Sequence, residues 1–96
     1  MKDEFVIIDF ETSGLSIDDG DRAIEVAALK VINNEIVDEF ESLMNPNFQI
    51  SSRITEINGI SNKMLEEAPD NQVVITELHD FIGDAKYLGA GGQLTN

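Results

Sequence analysis

The sequence contains no cysteine and a single histidine in 96 residues. That excludes a disulfide framework and any thiolate metal site, and leaves carboxylates as the groups able to hold a cation. No apolar run approaches the roughly 20 residues needed to cross a bilayer. Met1-Lys2-Asp3-Glu4 leads straight into a strand-like segment with no signal-peptide core, so the expectation is a cytoplasmic protein without a membrane partner. Basic residues are also scarce: 6 Lys and Arg stand against 19 Asp and Glu, a formal net charge of -13. Such a surface repels a phosphate backbone unless cations intervene, and taken alone it reads as a solvated exterior that aids solubility. What is present is ordinary for a globular chain, 42% hydrophobic and 26% charged, enough for one small core and no more than one domain. There is no internal repeat and no linker that would split the chain.

The pattern along the chain predicts strands first and helices later. Phe5-Val6-Ile7-Ile8-Asp9-Phe10 is a short β-branched run that ends in polar residues and glycine, as expected of a central strand buried on both faces. A turn-rich stretch follows, with Ser16, Asp18, Asp19, Gly20 and Asp21. Residues 23–32 then alternate, with Ile24, Val26 and Ala28 on one face and Ala27, Leu29 and Val31 on the other. Asn33-Asn34 suits a two-residue hairpin turn, and a third strand from Glu35 to about Met44 ends at Asn45-Pro46. Short helical turns are expected over Ser52–Ile57 and Asn62–Ala68. A longer helix capped by Asp70 or Asn71 places Val74, Leu78, Phe81 and Ile82 on one stripe and stops at Gly83. Lys86-Tyr87-Leu88 starts a fourth strand, whereas the glycine-rich and polar residues 89–96 are poor strand material.

Residues two apart on a strand share a face, so Asp9 and Glu11 project together while Phe10 turns the other way. Paired carboxylates at a strand end can hold Mg2+ or Mn2+, hard cations that take oxygen ligands, against phosphate oxygens. Asp-x-Glu is common in so acidic a chain, and a solvated strand end accounts for the spacing equally well. The apolar run before it sharpens the pattern, because open α/β sheets keep their ligands at the carboxyl ends of strands.

Val6-Ile7-Ile8-Asp9-Phe10-Glu11-Thr12-Ser13-Gly14-Leu15 resembles the first motif of the DnaQ-like (DEDD) 3'-to-5' exonucleases. Asp21 to Leu29, Asn45-Pro46 and Ile57 to Pro69 continue the similarity in order, so that it covers about residues 5–88. The resemblance implies a ribonuclease H-like α/β fold: a mixed sheet of three antiparallel strands, a helix and the start of a fourth strand. It implies removal of nucleotides from single-stranded DNA or RNA 3' ends, as in proofreading or trimming, with two divalent ions, Mg2+ or Mn2+. Asp9 and Glu11 would be the catalytic metal ligands. Thr12 would hold the terminal nucleotide, Gly14 would permit a close turn and Leu15 would wedge against the last base.

The resemblance further implies association with a polymerase, and a homo-oligomer formed through an exposed sheet edge is a second partner expectation. Residues 1–88 read as the N-terminal part of an exonuclease domain and 89–96 as a divergent tail. Where the family carries a His-Asn-x-x-Phe-Asp segment, this chain has Ala90-Gly91-Gly92-Gln93-Leu94-Thr95, so the second-motif aspartate has no counterpart. Asn58 stands where many members have histidine, and His79 falls in the long helix as a flanking residue. Glu25 is a further candidate beside the metal pair, with a structural hydrogen bond as the plainer role. A non-catalytic or partner-binding fragment is one alternative, and a haloacid dehalogenase-like phosphatase is another. The phosphatase would require Asp where this chain has Glu11, and a helix where it has a hairpin.

Overall fold

The computed structural model describes residues 3–14 and 20–89, together with the backbone of 94 and 95. Three strands open the chain: β1 (Glu4–Thr12), β2 (Ala23–Ile32) and β3 (Glu35–Leu43). Asn33 and Asn34, at φ 51° and 70°, make the tight reversal between β2 and β3 with the left-handed backbone that asparagine tolerates. Asn33 also bonds back to Asp3 through its N–H, at 2.9 Å, and so secures the start of β1. Three helices follow, α1 (Ser52–Asn58), α2 (Asn62–Glu66) and α3 (Asn71–Ile82), and then β4 (Lys86–Gly89) and β5 (Leu94–Thr95).

The strands form one sheet in the order β3-β2-β1-β4-β5, with β1 antiparallel to β2 and parallel to β4. The first strand is therefore internal and the ribonuclease H-like mixed arrangement is present. β5, which pairs antiparallel with β4 through Tyr87–Thr95 and Leu88–Leu94, is an element that the polar, glycine-rich tail does not advertise. Backbone pairing with a neighbouring strand supplies what side-chain propensity lacks. Helix α2 stops at Glu66, two residues short of the expected end, because Glu67 already serves as its cap.

Asp70 caps α3 by accepting from the Gln72 N–H at 3.0 Å, and its other oxygen accepts from Asn47 Nδ2 at 2.6 Å. Asn45 and Asp70 form a parallel bridge, with the Asn45 N–H donating to the Pro69 carbonyl at 2.8 Å. The end of β3 thereby fixes where α3 begins. The helix lays Val74 and Leu78 on Val6, Ile8, Val26, Ala28 and Met44, which form the main core, with Phe40, Phe81 and Tyr87 at its margin. A second cluster of Ile24, Ile50, Ile60 and Leu65 anchors the short helices at one end of the sheet. Ile24 belongs to this cluster because the β1–β2 register slips between Glu11 and Thr12, so that Glu11 faces Glu25 and Thr12 faces Ala23. The extra residue bends the strand locally.

One expectation is corrected here: β1 is covered on one face only. Val6 and Ile8 are buried beneath α3, whereas Phe5 and Ile7 are half-buried and Asp9 to Thr12 are exposed. Helix α3 covers a single face, and the run Val6-Ile7-Ile8 looks doubly buried only because β-branched residues fill both of its faces. Strand β3 forms a sheet edge along which Glu35, Asp38, Glu39 and Glu41 are exposed. Pairing two copies through that edge would bring like charges together, the usual protection against edge-to-edge association. No helix among the described residues is long and apolar enough to cross a membrane.

Candidate active site

The carboxyl half of β1 divides its side chains between two sides of the sheet. Asp9 faces Ala27, which faces Glu41, while Glu11 faces Glu25. Directly opposed residues share a face, so Asp9, Glu11, Glu25 and Glu41 form one acidic surface across three strands, on the side that α3 leaves open. Partial burial first, and then the Glu41, Glu11 and Asp9 carboxylates, push Glu25 above its ordinary value. Its neighbours make Glu25 a member of this charged set, beside the Asp9–Glu11 pair. Among the described residues no three His, Asp or Glu side chains converge into a set that could hold a metal ion alone.

Phe10 and Thr12 turn to the other side. With Gly14, Asp21, Arg22, Ala23 and Ile75 they line a groove of about 460 Å³. A second apolar hollow of about 400 Å³ adjoins it through Phe10 and Ile75 and continues past Leu78, His79 and Tyr87. Phe10 and Ile75 are 42% and 41% exposed, so the helix packs over the strand's middle and leaves its carboxyl end as an open apolar trough. Thr12 donates through Oγ1 to the Gly14 carbonyl at 2.6 Å, a local bond that folds the chain sharply as it leaves the strand. Of the predicted residues, then, Asp9 and Glu11 share one face, and Thr12 and Gly14 share a groove around the strand end from them. Leu15 lies outside the described residues.

Gly14 has its own spatial reason. Its φ is not in the left-handed region, unlike those of Gly20, Gly59 and Gly83. A β-carbon at position 14 would instead fall on the Asp21 carboxylate, with Cγ at 2.6 Å. Asp21 is held there by Ser13, whose hydroxyl donates to Asp21 Oδ1 at 3.0 Å and accepts from the Arg22 N–H at 3.0 Å. The Ser13 N–H donates to the Arg22 carbonyl at 2.8 Å, and Arg22 Nη1 donates to the Asp21 carbonyl at 2.9 Å. Ser13 is the one buried polar residue among those described, at 9% exposure. Ser13, Asp21 and Arg22 were not legible as site residues. The usable signal was their position at the two ends of a turn-rich stretch, where a serine and an aspartate readily close a loop.

His79 is exposed on α3 and borders the apolar hollow, on the face opposite Asp9 and Glu11. It does not approach the acidic surface, in keeping with a flanking helix residue. Asn58 ends α1 and accepts from the Ile60 N–H at 2.9 Å, a turn-closing role beside Gly59 at φ 77°.

Comparison with known proteins gives a consistent assignment. A family model described as an exonuclease, RNase_T, matches residues 6–93. The DNA polymerase III PolC-type protein of Halalkalibacterium halodurans is 44% identical over 85 residues, covering 88% of this chain and 6% of the relative. That of Staphylococcus epidermidis is 42% identical over 84 residues, with the same coverage of 88% and 6%. The chain thus spans a small part of these relatives. Among solved structures, Exonuclease X in complex with 5' overhanging duplex DNA superposes with a TM-score of 0.73 at 28% identity, over 91% of this chain and 48% of that one. The nuclease domain of 3'hExo, a DEDDh family member bound to rAMP, gives 0.75 at 24% identity over 91% and 51%, a likeness of fold.

Proposed function

The chain belongs to the RNase_T exonuclease family, and from that premise we propose that it carries the metal-binding strand of a DnaQ-like 3'-to-5' exonuclease. The carrying observation is the division at the end of β1: exposed Asp9 and Glu11 on one side, Thr12 and an apolar groove on the other. A nucleotide has the same two parts, an anionic phosphate and a flat apolar base.

The donor chemistry fits a divalent metal. Asp9 and Glu11 are oxygen donors on one face, and the like charges of Glu25 and Glu41 beside them favour a cation at that surface. A pair of carboxylates supplies an open site that water completes. When bound, Mg2+ or Mn2+ supplies charge neutralisation at phosphate oxygens and an activated water. The chain's own groups do the positioning. Asp9 and Glu11 would hold the cation, whose charge would offset the repulsion that a net charge of -13 exerts on a phosphate. The Thr12 hydroxyl would receive the terminal sugar, and Phe10 and Ile75 would offer apolar walls to the base. Leu15 is assigned to the base by family resemblance, and Gly14 leaves the space that the turn requires. A DNA or RNA 3' end is the proposed substrate, and a polymerase the proposed partner.

The isolated chain is proposed to turn over slowly. Ala90 to Thr95 replace the second acidic motif, and His79 lies on the wrong face to act as base. Loss of a general base alone typically costs about 100-fold to 10,000-fold in rate. Single-stranded DNA and RNA labelled at the 5' end, incubated with Mn2+, should remain almost intact. A ladder of 3'-shortened products, abolished by Asp9→Asn, would overturn the slow turnover while supporting the metal assignment.

The phosphatase alternative is set aside: β1 leads into the β2–β3 hairpin, and the family match covers the strand in question.

A further inference from the structure

Around the strand end, one polar arrangement stands apart from the metal surface and reaches the groove only through Asp21 and Arg22. Ser13 is nearly buried, and its hydroxyl is committed twice, donating to Asp21 Oδ1 and accepting from the Arg22 N–H, both at 3.0 Å. A backbone bond of 2.8 Å from the Ser13 N–H to the Arg22 carbonyl lies beside them. These bonds close the chain on itself between positions 13 and 21, next to the register slip that turns Thr12 toward Ala23. The Asp21 carboxylate occupies the space where a side chain at Gly14 would begin. Thr12 in turn is tied to Gly14 by its own hydroxyl. The groove wall made by Thr12, Gly14 and Asp21 therefore rests on Ser13, which does not line the groove itself.

We propose that Ser13 is a positioning residue: its hydroxyl latches Asp21 and so fixes the Thr12–Gly14–Asp21 wall of the groove and sets its affinity for a nucleotide. The inference rests on the exonuclease reading, since it assigns the groove to the nucleotide. The physical basis is preorganisation. A short backbone segment leaving a strand has several conformations available, and holding one in advance removes that ordering cost from binding. A buried hydroxyl with a charged acceptor on one side and a backbone donor on the other is worth more than a surface bond, and removing either partner leaves the other poorly satisfied. Thr12, Gly14 and Asp21 line the groove that takes the ligand, whereas Ser13 acts through them.

The test uses the 96-residue chain, dAMP and rAMP as probes in Mg2+, and nuclear magnetic resonance for both affinity and amide exchange. Ser13→Ala should weaken dAMP binding by about tenfold, the loss expected for one charge-assisted bond. Ser13→Thr, which keeps the hydroxyl, should stay within about twofold of the unmodified chain. Exchange protection of the Ser13 and Arg22 amides should fall in Ser13→Ala while that of Val26 and Val74 holds. Should Ser13→Ala fail to fold, Ser13→Cys, which keeps the size and weakens the hydrogen bond, carries the same test. A folded Ser13→Ala or Ser13→Cys variant that loses the local protection yet binds dAMP like the unmodified chain would overturn the positioning role and leave the exonuclease reading intact. An unmodified chain that binds neither nucleotide, with its latch amides protected, would instead sink the exonuclease reading and the positioning role with it.

Discussion

The two faces of the sheet are made by alternate residues of the same strands, yet they follow opposite rules. On the helix side, Val6, Ile8, Val26 and Ala28 meet Val74 and Leu78 in a core without a charge. On the open side, the same strands raise Asp9, Glu11, Glu25 and Glu41 toward one another. One face gains by excluding water, while the other keeps like charges adjacent, which directly opposed strand residues normally avoid. The difference teaches that fold and function are separated here by the two-residue period of a strand, and that each can be disturbed without the other.

The largest effect should come from the covered face. Leu78→Ala empties part of a well-packed core and should cost about 2–5 kcal/mol of folding stability in urea titrations. Glu41→Gln on the open face should leave the urea midpoint unchanged or raise it slightly. A Leu78→Ala loss below about 1 kcal/mol would mean that α3 is not seated as described.

A smaller effect should appear between Gly14 and Asp21. Gly14→Ala places a β-carbon on the Asp21 carboxylate, so its cost depends on that carboxylate being there. In an Asp21→Ala background the same change should be milder, with a coupling of about 0.5–3 kcal/mol in a double-mutant cycle. Additive losses would show that the two positions do not meet.

The smallest effect concerns pH. Glu25 is raised above its ordinary value of 4.5, by burial and by its acidic neighbours. Between the unfolded and the raised folded value the native state holds more protons, so stability falls as pH rises through that window and is restored as pH falls below it. Because Glu25 remains partly exposed, solvent screening keeps the contribution small. Glu25→Gln should flatten this part of the pH profile of the urea midpoint, and an unchanged slope would place the Glu25 charge apart from Glu11 and Asp9. Asp70 runs the other way: its hydrogen bonds with Asn47 and Gln72 hold it low. The stability it gives to α3 is present above its unfolded value and lost as pH falls through its lowered folded value.

Much of this was legible because it is periodic or local. The alternation of β2, the Asn33-Asn34 turn, the Val74–Leu78 stripe and the caps at Asp70 and Gly83 each depend on neighbours in sequence. The Asp9–Glu11 pair was legible for the same reason. What escaped depends on partners far along the chain. The pairing of β5 with β4, the membership of Glu25 and Glu41 in the acidic face, and the Ser13–Asp21 contact arise from register and loop closure, which no window of a few residues contains. The assumption that β1 is buried on both faces failed similarly, because whether a second layer covers Phe5 and Ile7 is a tertiary fact.

The account's central claim, that the open face is a cation site, is tested most directly by calorimetric titration with Mn2+ of the unmodified chain and of the Asp9→Asn, Glu11→Gln double variant. Weak, saturable binding to the unmodified chain is expected, with its loss in the double variant and no fall in melting temperature. Binding that persists unchanged in the double variant would contradict it.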